Sequence, residues 1–423
     1  MNRKSFDLDM ITLALYFGLV LLGWMTIYAV SSANGQDELF NLSFIHGKQI
    51  LWIGISLVLG IGIIALDYRF IEAVSWGAYA ASILLLIVVI FIGKEINGAR
   101  SWIVISGQPF QPSEFAKTAT ALALAKYLSR QNVSMSTGKH FLTALLIILT
   151  PAIIIILQND TGSALVFGSF LIVLFRKGMT SLIPLGLMLT GAVAILTLYF
   201  GQPWYVIGGI VGIMLISFAF FSNKRNWSKV LILHLAITAF FILLSISTNS
   251  IVKKLPEHQQ NRIMVLFDPQ QDPLGKGYNV IQSQIAISSG GLQGKGYLNG
   301  NYTKYRFVPK QETDFIFCTV GEEYGWLGSS MVILLFFFLI WRLKHLAENS
   351  KTSFSLYYGY AVLAIIFFHV VVNVGMTVGL VPVIGIPLPF FSYGGSSLLN
   401  FTILLSIMIN FYSYRSSVLG SKL

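Results

Sequence analysis

Cysteine is almost absent: the 423 residues hold one, Cys318. A lone thiol excludes an intramolecular disulfide and any cysteine-only metal site. Charge is scarce too, at 11% of residues, against about 25% in ordinary soluble domains. The six histidines are dispersed and show no ligand spacing such as HExxH. There is no internal repeat, no low-complexity tract, and no matched pair of broken helices of the kind that marks inverted transporter halves. The start, Arg3-Lys4 before an apolar run from Ile11, lacks a convincing cleavage site, so it reads as an uncleaved first span.

What the chain does have is hydrophobicity. Apolar residues make up 55% of it, and the mean hydropathy is +0.74. Apolar runs lie near 11–30, 48–66, 74–93, 112–128, 141–157, 162–175, 182–200, 204–221, 230–247, 313–341, 355–381 and 391–412. Runs so many and so long exceed any soluble core, and they predict an all-α polytopic membrane protein. Many spans make one membrane domain, so residues 1–423 are expected to form a single one.

The net charge is +11. Its carriers sit mostly in short loops between spans, where orientation signals belong, and no nucleic-acid partner is implied. With a cytoplasmic N-terminus, the inside loops carry Arg69, Arg130, Lys139, Arg176, Lys177, Lys224, Arg225, Lys229, Arg342, Lys344 and Lys351. An even number of spans then returns the C-terminus, with Arg415 and Lys422, to the cytoplasm. The long polar stretch 248–312 falls outside. Its Lys253, Lys254, Arg262, Lys276, Lys295, Lys304, Arg306 and Lys310 are either a solvated face or an attractor for an anion such as a phosphate.

Five stretches carry chemistry. Asn97 to Lys117 contains Trp102, an interfacial anchor by default, and opens a helix at Pro112. Glu114 and Lys117 are three residues apart on that helix, so they can pair, and ionisable groups in a span face a bundle interior or cavity. Gln158 to Ser163 reads as a tight turn with Asp160 capping the next helix. In the long loop, Asp268-Pro269 and Asp272-Pro273 place two carboxylates in a proline-broken segment, where turn and general base are both open readings. Asp314 can be explained by a helix dipole, whereas Glu322 and Glu323 lie deeper in the following span. Between 379 and 397, three prolines and four glycines rule out a continuous helix. Irregular backbone at membrane depth must be buried in protein or line a wet cavity.

In order and wording these stretches resemble the SEDS (shape, elongation, division and sporulation) family over nearly the whole chain. The most specific matches are Asp272-Pro273-Leu274-Gly275-Lys276-Gly277-Tyr278 with Gln282-Ser283, Thr313-Asp314-Phe315-Ile316-Phe317 with Gly321-Glu322-Glu323, and Gly385-Ile386-Pro387-Leu388-Pro389-Phe390 with Ser392-Tyr393-Gly394-Gly395-Ser396. Gly291 to Gly296 looks like the elongation members rather than the division members. The resemblance implies a bundle of about 10–12 transmembrane helices with one long extracytoplasmic loop, in the bacterial cytoplasmic membrane. It implies a peptidoglycan glycosyltransferase that polymerises lipid II, with Asp272 as the general base. Trp102, Glu114, Lys117, Lys276, Gln282, Ser283, Asp314, Glu322, Ser392 and Tyr393 carry over as substrate-binding or cavity residues. The pyrophosphate leaving group needs cations from Lys, Arg or a divalent metal such as Mg2+ or Mn2+, and the residues do not choose among them. Implied partners are a class B penicillin-binding protein transpeptidase and elongation-complex proteins of the MreC, MreD and RodZ type. A lipid II flippase or a non-catalytic scaffold for the transpeptidase are the alternatives. The chain departs from the family in two places: Val308-Pro309-Lys310 stands where an acid usually follows the proline, and the runs 204–221 and 230–247 look like an added helix pair.

Overall fold

The computed structural model describes residues 8–32, 39–96, 98–105, 107–221, 227–254, 260 and 276–414. They fall into two compact units, Met1–Met179 with Tyr278–Leu423, and Thr180–Gly277. The first unit opens with α1 (Met10–Ser31), α2 (Ile45–Ala65) and α3 (Tyr68–Ile92). A small antiparallel sheet follows, β1 (Lys94–Ile96), β2 (Ala99–Ile105) and β3 (Gln108–Phe110), in the order β1-β2-β3. Then come α4 (Pro112–Leu128), α5 (Gly138–Leu157) and α6 (Thr161–Arg176), whose middle turn tightens to a 3-10 helix.

The second unit holds α7 (Leu182–Phe200), α8 (Pro203–Phe221) and α9 (Trp227–Lys254) around Val193, Val206, Ile210 and Phe241. Thr197 and Ser245 share a hydrogen bond of 2.9 Å across α7 and α9. The chain continues through α10 (Lys276–Ser289) and the single turn α11 (Asn301–Lys304) to α12 (Ile316–Glu348), α13 (Ser353–Thr377) and α14 (Gly395–Ser413). Among the described residues, ten helices are long and apolar enough to cross a membrane; α4 and α6 are shorter. The stretch expected as loop between 248 and 312 therefore includes the end of α9 and two further helical pieces.

Side-chain capping explains several starts. Asp9 accepts the Thr12 amide at 2.9 Å, Asp67 the Arg69 amide at 2.8 Å, and Thr352 the Ser355 amide at 3.1 Å. Each satisfies one of the donors a helix N-terminus leaves orphaned. The centre of the first unit is built by α4, α13 and α14. Most of α13 and α14 is buried, in contrast to the peripheral helices. Ala116, Ala119, Ala121, Ala123 and Ala125 line α4 and let its backbone approach its neighbours closely.

α12 is broken rather than continuous. Gly325 has φ 65° and ψ −158°, a region only glycine occupies without strain. The groups freed by the break pair with the 291–296 segment. Lys295 and Gly296 amides donate to the Glu322 and Glu323 carbonyls at 3.0 and 2.9 Å, and Trp326 and Leu327 amides donate to Gly291 and Leu292 at 2.9 and 3.1 Å. A helix interrupted inside an apolar span stays satisfied because a neighbouring segment replaces its ladder.

Candidate functional site

The sheet, the N-terminal ends of α4, α6 and α14, and the irregular segment 378–394 meet at one end of the first unit. Backbone and side-chain bonds stitch them together. Arg100 donates to the Gln158 carbonyl at 2.9 Å, Tyr393 to the Glu312 carbonyl at 2.9 Å, and the Asn373 amide to the carbonyls of Asp314 and Ile386 at 2.9 and 2.8 Å. Between them lies a cavity of about 340 Å³. Its walls are Trp102 and Gln108 from the sheet, Gln111 and Glu114 from α4, Asp160 and Ser163 from α6, and Trp52 from α2. Lys310, Glu312 and Asp314 close one side, and Gly385 to Pro387 with Tyr393 to Ser397 close the other.

Pro112 stands at the first turn of α4, as expected, and Gln111 is its N-cap residue. The Gln111 side chain does not cap; it donates to Asp160 Oδ2 at 2.8 Å, across to α6. Asp160 also caps α6, accepting the Ser163 amide at 3.1 Å, so one carboxylate both starts a helix and faces the cavity. The Gln111 backbone amide donates to Ser396 Oγ at 3.2 Å, tying α4 to α14.

Below the cavity sits a buried charge network. Lys117 Nζ donates to Glu114 Oε1 at 2.8 Å and lies 3.0 Å from His369 Nε2. His369 Nδ1 lies 3.0 Å from the Pro387 carbonyl. A carbonyl only accepts, so Nδ1 carries the proton and Nε2 offers its lone pair to the Lys117 ammonium. The Lys117 ammonium also lies 5.5 Å from the centre of the Phe401 ring. Lys117 and His369 are 0% exposed and Glu114 2%. Such charges persist in an apolar interior only when paired and hydrogen-bonded. Glu114 Oε2, by contrast, accepts no hydrogen bond from the described residues.

The structure brings Trp102, Glu114, Asp314 and Tyr393 to the cavity wall, with Lys117 directly behind Glu114. Burial and the nearby Glu312 carboxylate push the Tyr393 phenol above its usual range. Ser392 lies behind the wall, where its hydroxyl accepts the Leu388 amide at 2.9 Å and holds the Pro387–Tyr393 turn. Ser283 is buried on α10 and donates to the Thr377 carbonyl at 2.9 Å, and Gln282 is half-buried beside it; neither lines the cavity.

Glu322 is also away from the cavity. Its carboxylate, 0% exposed, accepts Lys295 Nζ and the Tyr302 amide on Oε1, each at 2.8 Å. Oε2 accepts the Thr303 amide at 2.8 Å and its hydroxyl at 2.9 Å. Every contact ties α12 to α11 and the segment before it. Asp268 and Asp272 lie outside the described residues, and Lys276 is described only as the first backbone position of α10.

Sequence reasoning missed Trp52, Lys310 and Glu312 as cavity residues, and His369 as the partner of Lys117. His369 had a signal, an ionisable residue inside a span. Trp52 had none, because a tryptophan in an apolar helix reads as packing or as an interfacial anchor. Lys310 occupies the position where the family usually has an acid. It adopts φ 56°, and its carbonyl accepts the Thr313 and Asp314 amides at 3.1 and 3.2 Å, turning that segment toward the cavity. Among the described residues, no three His, Cys, Asp or Glu side chains are placed to hold a metal ion.

Residues 9–207 and 202–417 match the sequence profile of the FtsW, RodA and SpoVE family, described as cell cycle proteins. Peptidoglycan glycosyltransferase RodA of Treponema pallidum is 34% identical over 94% of this chain and 95% of its own. Peptidoglycan glycosyltransferase MrdB of Escherichia coli is 32% identical over 98% of this chain and 97% of its own. Among solved structures, a chain of a peptidoglycan synthase complex that coordinates polymerization and crosslinking is 26% identical. It covers 97% of this chain and 99% of its own, with a TM-score of 0.70. RodA of Thermus thermophilus shares the fold at 24% identity and a TM-score of 0.62, over 97% of this chain and 98% of that one.

Proposed function

The chain belongs to the FtsW/RodA/SpoVE family of multi-pass membrane proteins, and from that membership we propose that it is an elongation-type peptidoglycan glycosyltransferase. The observation that carries the reading is convergence. Two of the stretches that carry the family resemblance, 385–397 and the turn before 315, meet the 102–114 segment around one cavity, in a chain alike from end to end to named peptidoglycan glycosyltransferases.

The reaction assigned is glycan-strand elongation on lipid II. The acceptor sugar's 4-hydroxyl attacks the donor's anomeric carbon, and a β-1,4 bond forms as the bond to the pyrophosphate oxygen breaks. Inversion follows from attack on the face opposite the leaving group. The hydroxyl proton goes to a base, for which we propose Asp272. A base held in reach of that proton raises the oxygen's nucleophilicity as the bond forms. The departing undecaprenyl pyrophosphate carries the bonding electron pair, and a cationic rim favours it. Lys310 is exposed and lines the cavity, where it supplies one such charge.

Orientation follows from charge. The end opposite the cavity carries the basic short loops with Arg69, Arg130, Lys139, Lys177 and Lys351. The positive-inside rule puts that end in the cytoplasm, and the cavity at the outer face of the bacterial inner membrane. The synthase-complex likeness supports a transpeptidase partner, and MreC-, MreD- and RodZ-type proteins are proposed as further company.

Purified protein, alone and with a transpeptidase, should polymerise lipid II, and Asp272→Asn should lower the rate by at least about a hundredfold without changing thermal stability. Undiminished polymer from a folded Asp272→Asn would remove the base assignment. Wild type that makes no glycan yet moves lipid II across vesicles would establish the transporter reading instead.

A further inference from the structure

The wall segment 385–387 does not hold its own shape. The stretch 382–388 forms no helix or strand, and Pro387 and Pro389 have no N–H to give. Its carbonyls therefore need donors from elsewhere. Two consecutive ones are taken by α13: His369 Nδ1 donates to the Pro387 carbonyl at 3.0 Å, and the Asn373 side-chain amide to the Ile386 carbonyl at 2.8 Å. His369 and Asn373 are four residues apart and fully buried, so one inner face of α13 presents both.

The His369 bond is also one link of a longer chain. Glu114 lines the cavity, and its Oε1 accepts from Lys117 Nζ. Lys117 Nζ reaches His369 Nε2, and His369 Nδ1 ends on Pro387, which lines the cavity too. A strut thus leaves the cavity at α4, passes through the buried interior and returns at segment 385–387. Its middle member must meet two opposite demands. The Lys117 ammonium only donates and the Pro387 carbonyl only accepts, and a neutral imidazole accepts on one side while donating on the other. Phe401 fixes the plane of that imidazole. The two rings stand edge to face, 4.9 Å apart at 89°. His369 does not line the cavity itself, and both of its ring nitrogens are engaged.

We infer that His369 is a positioning residue for glycosyl transfer: by bridging Lys117 to Pro387 it sets the separation of the α4 and 385–387 walls, and it exchanges no proton with substrate. The inference rests on the glycosyltransferase reading for the reaction that these walls serve. What the site requires is then the donor–acceptor pair, not the imidazole.

Three substitutions separate these requirements. Glutamine carries an NH2 donor and a carbonyl acceptor spaced much as the ring nitrogens are. Asparagine offers the same groups one methylene short, enough for one partner but not for both. Methionine fills the space and donates nothing. Lipid II polymerisation is measured on the full-length protein, alone and with a transpeptidase, with rates corrected for the folded fraction. A misplacement of about 1 Å can cost about a hundredfold in rate. His369→Met should lower kcat about ten- to a hundredfold with KM within about twofold. His369→Asn should lower kcat about tenfold, whereas His369→Gln should stay within about threefold of wild type. The Leu388, Phe391 and Ser392 amides close the turn behind this wall. Their hydrogen exchange, read by mass spectrometry, should quicken in the asparagine and methionine variants and return to the wild-type rate with glutamine.

Wild-type kcat in a folded His369→Asn or His369→Met would overturn the proposal. So would a loss carried entirely by KM, or a His369→Gln as impaired as His369→Met, which would assign the effect to imidazole chemistry. If the methionine variant does not fold, the contrast between glutamine and asparagine answers alone. Should wild type make no glycan, the glycosyltransferase reading falls, and the exchange rates still decide the strut: quickened by asparagine and restored by glutamine it stands, unchanged in both it does not.

Discussion

Replacing Glu322 by glutamine should damage the protein almost as much as removing the side chain. Both carboxylate oxygens are used: Oε1 takes Lys295 Nζ and the Tyr302 amide, and Oε2 takes the amide and hydroxyl of Thr303. Glutamine has one oxygen and one NH2 group. Whichever way its amide is turned, two hydrogens point at a backbone N–H that must donate. Hydrogen bonds to a charged group contribute about 1.5–3 kcal/mol each, and an unsatisfied buried donor costs about 1–3 kcal/mol. Lys295 is partly exposed and can turn to water. Thr303 is buried and cannot. Losing one backbone acceptor and the lysine's charge partner therefore costs about 3 kcal/mol for Glu322→Gln, and about 3–5 kcal/mol for Glu322→Ala.

The loss is local, because these bonds hold α11 and its flanks onto α12. Amide exchange at Tyr302 and Thr303, read by mass spectrometry on the detergent-solubilised protein, should accelerate by roughly a hundredfold or more, since about 1.4 kcal/mol is a factor of ten. Exchange in α14 should not change. If both amides keep wild-type protection in Glu322→Gln while polymerisation is lost, the account of Glu322 as a structural tie is wrong and a role toward substrate takes its place.

Three further outcomes follow from the same geometry. Lys117→Ala leaves Glu114 buried without its partner and should cost about 3–5 kcal/mol, seen as a lower unfolding temperature; the Glu114→Gln/Lys117→Met double variant should recover much of it, and a double variant worse than the single would refute the pairing. Gly325→Ala should destabilise by about 1–3 kcal/mol, since alanine is strained at φ 65° and its Cβ would lie 2.3 Å from the Gly294 nitrogen; unchanged thermal unfolding would contradict the break in α12. Burial raises the Asp9 carboxyl, but hydrogen bonds from Arg342 and Thr12 outweigh it and hold the carboxyl below its usual value. The folded pKa lies below the unfolded one, so this contribution is complete above about pH 4 and is lost as pH falls through the folded value. Asp9→Asn should flatten that acid branch of the stability profile, and an identical acid branch in the variant would exclude Asp9 as its source.

Much of this was legible in one dimension. Hydropathy located the helices because a span must cover a fixed thickness with apolar residues, and the runs at 204–221 and 230–247 appear as α8 and α9. The pairing of Glu114 with Lys117 followed from helical spacing alone. The irregular stretch 378–394 was visible in its clustered prolines and glycines, because proline removes a helical donor and glycine costs backbone entropy, and together they make a continuous helix unfavourable. What stayed hidden was which polar groups meet. Glu322 and Asp314 both carried over from the family as cavity residues, yet Asp314 lines the cavity whereas Glu322 is bound by Lys295, Tyr302 and Thr303 away from it. His369 lies 252 residues from Lys117 and touches it. Trp52 carries no mark in its own helix, and becomes part of a cavity wall only because the start of α14 packs beneath its ring. Apolar length and backbone restriction are properties of a segment and can be read along it. Partnership between side chains depends on how segments pack, so only the tertiary structure decided it.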